Sequence, residues 1–529
     1  DTRNVGGIGS GLVTNTSTNE YFCSIQPAIN DADTQDGHTI TVAAGTYSEQ
    51  VIVNKSLIVK GVGATKPIIN FTGSVTGKPA LFDVSKPNVT IENFDMKVDL
   101  TKLSSAIIAS GTNISGIIVK DNNVLATGSS ASASTGTYTD RNAVSVNYGG
   151  TNNYRTAAGG VSAISFTGNT VGGETDAFSM TRYFRSGISV DEGGGTFSGN
   201  TLQTINHDVL VRFGSNGAIT ISNNNFNGGG IELADQNAAA GPISVESNLF
   251  NATFANTSAP GAAVLRIKNN YNGIVHTVSS NTFTNFNWAA SVENMNNITF
   301  NGNTFSGLNS NSRSLVFNTK SISGNSNAIS QVAVGMIATN NTFEGQGTAL
   351  SFLNHDSDND SYGTFTIGTA GNENTFASSL GTFVFLDGQS GSSNGSTFPT
   401  YLTTGQWPTT MECWGQNLNI VNNRFDIGSG LQSPLSMNLS QRTTLEGKLD
   451  HKPDVSCKGA LQFFLPVHNL TQNTYFSTIQ AAITAAVSGD VIECSEATYN
   501  ESLIFDKSLT LQGVSTDKSL QVLDGTGLG

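Results

Sequence analysis

Charge is scarce in this chain: Asp, Glu, Lys and Arg make up only 12% of 529 residues. The 25 basic residues are outnumbered by 39 acids, for a net charge of −14. That balance argues against a nucleic-acid partner, which would need clustered cations, and otherwise serves solubility. Cysteine is rare as well. Cys23, Cys413, Cys457 and Cys494 show no CxxC or CxxH spacing, which argues against zinc. Cys413 and Cys457 suit a disulfide in an oxidising compartment, and all four equally suit buried free thiols. The sequence shows neither a signal peptide nor an apolar run long enough for a transmembrane segment.

In place of charge the chain carries Asn, Ser, Thr and 58 glycines, residues of turns and strands rather than helices. With 37% hydrophobic residues it has material for a sizeable core, so disorder is the weaker reading. One phrase recurs along the chain: two core residues at alternate positions, a short gap, then Asn, any residue, and Phe or another apolar group. It reads Ile219, Ile221, Asn224, Phe226, and again Ile243, Val245, Asn248, Phe250. Ile298, Phe300, Asn303, Phe305 and Leu418, Ile420, Asn423, Phe425 repeat it, as do the partial copies Asn281/Phe283, Asn341/Phe343 and Asn374/Phe376. Alternation marks a strand with one face inward. The Asn suits a sharp bend, because it tolerates left-handed backbone and bonds main chain. A strand–turn–strand unit repeating every roughly 22 to 38 residues is the signature of a solenoid, and it predicts that Asn224 and Asn248 stack on neighbouring coils.

These Asn-x-Phe coils, led by an amphipathic segment and a Gly-Thr-Tyr phrase, resemble the right-handed parallel β-helix repeat proteins of the pectate-lyase-like superfamily. The likeness runs from about Tyr21 to Phe425 and resumes after Tyr475. It implies an all-β, right-handed parallel β-helix of the kind found in large secreted or surface proteins of bacteria. It is specific for fold and says little of activity, because the superfamily holds lyases, hydrolases, epimerases, tailspikes and adhesins.

The sequence contains two beginnings. Tyr21–Gly61 and Tyr475–Gly513 align, with one two-residue gap, at roughly 40% identity. Ile479, Ala482, Ile483 and Ala486 fall on one face of a short helix, and Ile25, Ala28 and Ile29 repeat that pattern. Such a helix would cover the apolar end of a solenoid, which otherwise invites aggregation. The expected organisation is an extension at 1–20, a capped β-helix at 21–435, a C-terminal cap and linker at 436–469, and at 470–529 the cap and first coils of a second β-helix. A solenoid needs about three repeats for stability, so Gly529 is not expected to be the natural end, and neighbouring β-helix domains of one polypeptide are expected partners.

For chemistry, three strand segments stand out: 187–192, 208–213 and 231–235. With Ile188, Val209 and Ile231 stacked inside, Asp191 falls beside Arg212, Glu232 and Asp235 follow one coil on, and His207 is close by. An Arg among carboxylates suits acid/base work, and two carboxylates across a groove suit glycoside hydrolysis. The plain alternative is a set of outward ion pairs on solvated strand positions. Two β-helix enzyme patterns are missing. Of the polygalacturonase-like glycosidase set, Asp-Asp and Gly-His-Gly are absent and Arg266-Ile267-Lys268 stands alone as a chance-level match; the pectate-lyase Trp-x-Asp-His and Arg-x-Pro-x-x-Arg are absent too. Alternating carboxylates Asp356, Asp358 and Asp360 suggest a calcium loop, although Ser361 sits where an EF-hand loop wants Gly and no Glu closes it. Trp407 and Trp414 offer faces for sugar rings, or equally plugs for the solenoid end. No Thr-x-Thr rank recurs in register, which disfavours an ice-binding solenoid. The favoured expectation is a secreted or cell-surface structural and adhesive module contacting a polysaccharide or cell-surface glycan. A polysaccharide lyase or glycoside hydrolase is the alternative.

Overall fold

The computed structural model describes residues 12–128, 141–149, 160–173, 183–212, 217–234, 240–252, 263–270, 274–295, 297–318, 335–353, 364–386, 418–451, 461–463, 465–472, 474–495, 497–514, 516 and 518–525. Their strands form three long sheets of 14, 14 and 13 strands. Each coil contributes one strand to each sheet in turn, so the strands pair in parallel with the coils before and after. This is the expected parallel β-helix. We number its faces by order along a coil: Thr39–Val42 opens the parallel part of the first face, Thr46–Tyr47 the second and Val51–Val53 the third. Neighbouring strands in such a ladder lie about 4.8 Å apart.

The Asn-x-Phe phrase sets the bend between the first and second faces. Asn122, Asn169, Asn200, Asn224, Asn248, Asn281, Asn303, Asn341, Asn374 and Asn423 form one buried ladder. The expected stacking of Asn224 on Asn248 is present. The Asn224 backbone N–H and side-chain Nδ2 both donate to Asn248 Oδ1, at 3.0 and 2.9 Å, and Nδ2 also donates to the Phe197 carbonyl at 2.9 Å. In one detail the structure corrects the sequence reading. The left-handed residue is the one before the ladder, as at Asp121, Asn223, Ser247, Ser280 and Asn340, and the ladder Asn bonds the next coil rather than its own main chain. Inside the bend, Phe226, Phe250, Phe283, Phe305, Phe343, Phe376 and Phe425 run as a continuous stack with ring centroids 4.5–5.1 Å apart. Burial of these rings, with stacking in addition, is a large apolar contribution from Phe226 onward; the earlier coils carry Val124, Val171 and Leu202 in the same row.

The faces differ in what covers them. On the first face burial alternates, as in Thr39–Val42 and Ile298–Asn301. On the third face, Ser105–Ala109, Asn142–Val146 and Ser186–Asp191 are buried at every position. In these coils its outward side chains are as enclosed as its inward ones.

The two beginnings fold alike. In the first, Val13–Asn15 pairs antiparallel with Glu20–Phe22 and with Thr39–Val42, and the helix Ile25–Asn30 buries Ile25, Ala28 and Ile29. In the second, Val467–Asn469 pairs antiparallel with Thr474–Phe476 and with Val491–Cys494, and the helix Ile479–Ala485 buries Ile479, Ala482 and Ile483. The polar clamp around each helix is also the same. The Glu49 carboxylate accepts from the Ile25 and Gln26 N–H groups, and Glu501 does so from Ile479 and Gln480. Carboxylates are favoured there because helix N-termini leave N–H groups unpaired. Gln26 brackets the Ile52 backbone as Gln480 brackets Ile504. Lys55 donates to the carbonyls of Ile29 and Asp31, and Lys507 to those of Ile483 and Thr484. A second β-helix thus starts after the first. Between them the helix Leu439–Glu446, held by an Asn438/Gln441 capping box, leads into Leu449–His451, which pairs with the third-face strand Thr382–Leu386.

Candidate functional site

The candidate residues lie on the outward side of the third face. Ile188, Val209 and Ile231 stack in register, as expected, which leaves Asp191 opposite Arg212 on adjacent strands. Arg212 grips Asp191 through both oxygens, each at 2.9 Å, and its guanidinium lies 4.6 Å from the centre of the Tyr148 ring. Burial alone would lower the Arg212 pKa, but the Asp191 hydrogen bonds and charge outweigh it and raise it. Successive Asn bends here lie 24 residues apart, whereas the third-face strands pair at spacings of 21 and 22. The corners absorb the difference.

Glu232 is the centre of a larger cluster. His207 Nε2 lies 2.9 Å from its carboxylate, Lys268 Nζ 3.3 Å and Arg266 Nη1 3.8 Å. Burial pushes the Glu232 carboxyl upward, but His207, which hydrogen-bonds it, and the Lys268 and Arg266 charges outweigh it and hold it well below the usual carboxylate range. One coil further, Arg266 makes a two-pronged pair with the fully buried Glu293, at 2.8 and 3.0 Å. Beyond that, Arg313 donates to Ser351 Oγ at 2.8 Å and lies 4.6 Å from the centre of the Phe385 ring.

The structure therefore brings Asp191, Arg212, Glu232 and His207 together in one partly buried row of charged and polar groups, and adds Arg266, Lys268, Glu293 and Arg313. The Arg-Ile-Lys tripeptide that meant nothing as a motif places Arg266 and Lys268 on the same outward row pair, with Ile267 inside. Strand alternation puts Arg266 and Lys268 outward with Ile267 inside, but the unequal coil lengths hide which residues they face. Asp235, Trp407, Trp414, Asp356, Asp358, Asp360, Cys413 and Cys457 lie outside the described residues. Trp288, at the start of a third-face strand, is buried. Among the described residues Cys23 and Cys494 are free thiols, and one carboxylate trio, Glu20, Asp31 and Asp33, gathers at the first cap. Exposed acids cluster in this way without a cation.

Chemically, acid/base catalysis needs a group that exchanges protons near neutral pH within reach of substrate. Glu232 is held ionised. Asp208 is the carboxyl pushed the other way, up to about 7 by burial. It is sealed in the corner between the second and third faces, where it accepts from Thr204 Oγ1 at 2.9 Å and the Gly230 N–H at 2.8 Å. It belongs to the packing of the coil, not to the outward row.

No family model matches the chain. A cell surface glycoprotein of Methanothermus fervidus is 40% identical over 86 residues, which is 16% of this chain. The match spans 14% of that relative's length. Two solved structures of PfbA, a surface adhesin of Streptococcus pneumoniae, are also similar. One covers 60% of this chain and 85% of PfbA at 12% identity and a TM-score of 0.39; the other covers 62% and 87% at 9% and 0.32. No helix among the described residues is long and apolar enough to cross a membrane.

Proposed function

We propose that this chain is a structural and adhesive repeat module of a large secreted or cell-surface protein, with tandem β-helices displayed along one polypeptide. The observation that carries the reading is the cap, repeated with the same helix, strand pairing and Glu–Gln–Lys clamp. A catalyst needs one set of adjacent coils, whereas an array needs a fresh cap for every unit it adds. The match to a cell surface glycoprotein supports the same location. So does the state of the charged row: its acids are engaged by Arg, Lys or His, and the carboxyl with a near-neutral pKa is sealed in a corner. In this reading the β-helix belongs with the pectate-lyase-like solenoids by fold, its partners are cell-surface glycans or other polysaccharides met along the solenoid side, and its neighbours are further β-helix domains.

Incubation with a panel of uronate-rich and neutral glycans tests this, with reducing ends and the absorbance of unsaturated products as readouts. Retention of a glycan without product is the expected result. Turnover that disappears in Arg212→Ala would overturn the reading in favour of a lyase or hydrolase.

A further inference from the structure

Asn-x-Ser/Thr is the acceptor sequence for N-linked glycans. A chain so rich in Asn, Ser and Thr carries many copies by composition alone, so position must sort them. Two are structural. Asn15, in Asn15-Thr16-Ser17, is fully buried and its Nδ2 donates to Thr34 Oγ1 at 2.8 Å. Asn469, in Asn469-Leu470-Thr471, is its counterpart in the second cap and donates to Asp490 at 2.8 Å.

Three others, all in the first β-helix, are exposed instead, as is Asn500 of Asn500-Glu501-Ser502 in the second cap. Asn54-Lys55-Ser56, Asn88-Val89-Thr90 and Asn113-Ile114-Ser115 all sit at the corner that joins the third face to the first, on three successive coils. Asn54, Asn88 and Asn113 are exposed, and among the described residues no hydrogen bond engages their side-chain amides. Asn88 has a left-handed backbone, with φ 54°, and its amide oxygen lies over Gly116, where any side chain would displace it. The second copy supplies a natural contrast: Asp506-Lys507-Ser508 stands where the first has Asn54-Lys55-Ser56, in the same clamp.

We propose that this corner of the first β-helix is an N-glycosylation stripe, with Asn54, Asn88 and Asn113 as acceptors. In the transfer the side-chain Nδ2 forms a bond to the anomeric carbon of a polyprenyl-phosphate-linked oligosaccharide. The bond from that carbon to the phosphate oxygen breaks, the lipid phosphate leaves with its electron pair, and the amide loses one proton to the transferase. The inference rests on the secreted or surface location proposed above.

Glycopeptide mass mapping of the full protein from its own cells, in separate surface and intracellular fractions, tests both. The expected result is surface protein carrying glycan on Asn54, Asn88 and Asn113, with none on Asn15 or Asn469. Each of Asn54→Gln, Asn88→Gln and Asn113→Gln should remove the mass of one glycan. Unmodified Asn54, Asn88 and Asn113 in surface protein would overturn this inference and leave the location standing. Protein confined to the intracellular fraction would overturn both. Glycan on Asn15 or Asn469 would contradict the selection by burial.

Discussion

The two caps make the same bonds with partly different residues, and their surroundings then diverge. His38 Nδ1 meets the Asn15 amide in the first, and Asp490 accepts from Asn469 in the second. Tyr47 and Tyr499 each reach back to two carbonyls, at Leu12 and Ala43 and at Pro466 and Ser495. Burial pushes both phenols up. Yet Val53 is fully buried while its counterpart Phe505 is 53% exposed. Val53 pairs with Val84 of the next coil, and 503–505 has no strand partner among the described residues. The helix and its polar clamp are therefore local, whereas the third face is made by the coil that follows.

That contrast can be broken in order of expected effect. Arg266→Ala strands the buried Glu293 carboxylate and should cost the first β-helix about 3–5 kcal/mol, read as a lowered unfolding transition with the second cap unchanged. The double variant Arg266→Met/Glu293→Leu should recover most of that loss, because the buried carboxylate goes with its partner and Glu232 keeps His207 and Lys268. Failure to recover would mean the pair does more than hold itself in place.

Asn248→Ala should cost about 2–3 kcal/mol, since it orphans the buried Asn224 N–H and the Ile221 carbonyl. Denaturant titration followed on the two β-helices separately would check it. An equal loss in the second cap would show that the two are one cooperative unit.

Acid supplies the third perturbation. His276 is buried, accepts the Ile243 N–H through Nδ1 at 3.1 Å, and burial lowers its pKa to about 4. Above about pH 6.5 neither folded nor unfolded His carries the proton, so there is no cost. As pH falls toward 4 the unfolded chain gains a proton that the folded one refuses, and about 2–3 kcal/mol of stability is lost. His276→Gln should flatten that slope in the first β-helix. The second cap should lose stability only further into acid, where Asp490, held below the usual carboxylate range by the Asn469 hydrogen bond, takes up its proton.

The smallest effect is local. Glu501→Ala removes two charge-assisted bonds to the helix start and should cost about 2 kcal/mol. It should release the helix Ile479–Ala485 with no change in the first cap.

The repeats were legible because a solenoid writes its period into the chain: Asn224 and Phe226 return as Asn248 and Phe250, and the bonds follow. The left-handed bend was misplaced by one residue because the ladder Asn and the bend residue are in places both Asn, as at Asn223/Asn224 and Asn340/Asn341. Asp191, Arg212 and Glu232 were found because acids and Arg on outward strand positions stand out in a chain poor in charge. Arg266, Lys268 and Glu293 were missed for a different reason. Coil lengths vary with the inserted segments, so 232 pairs with 266 and 266 with 291, spacings of unequal length that alternation alone does not announce.

Peptide-resolved hydrogen exchange on the full chain tests the duplicated beginning most directly. The account predicts that 25–30 and 479–485 are both protected, and that Glu49→Ala and Glu501→Ala each release only their own helix. Exchange of 479–485 at the rate of unstructured chain in the unaltered protein would contradict it.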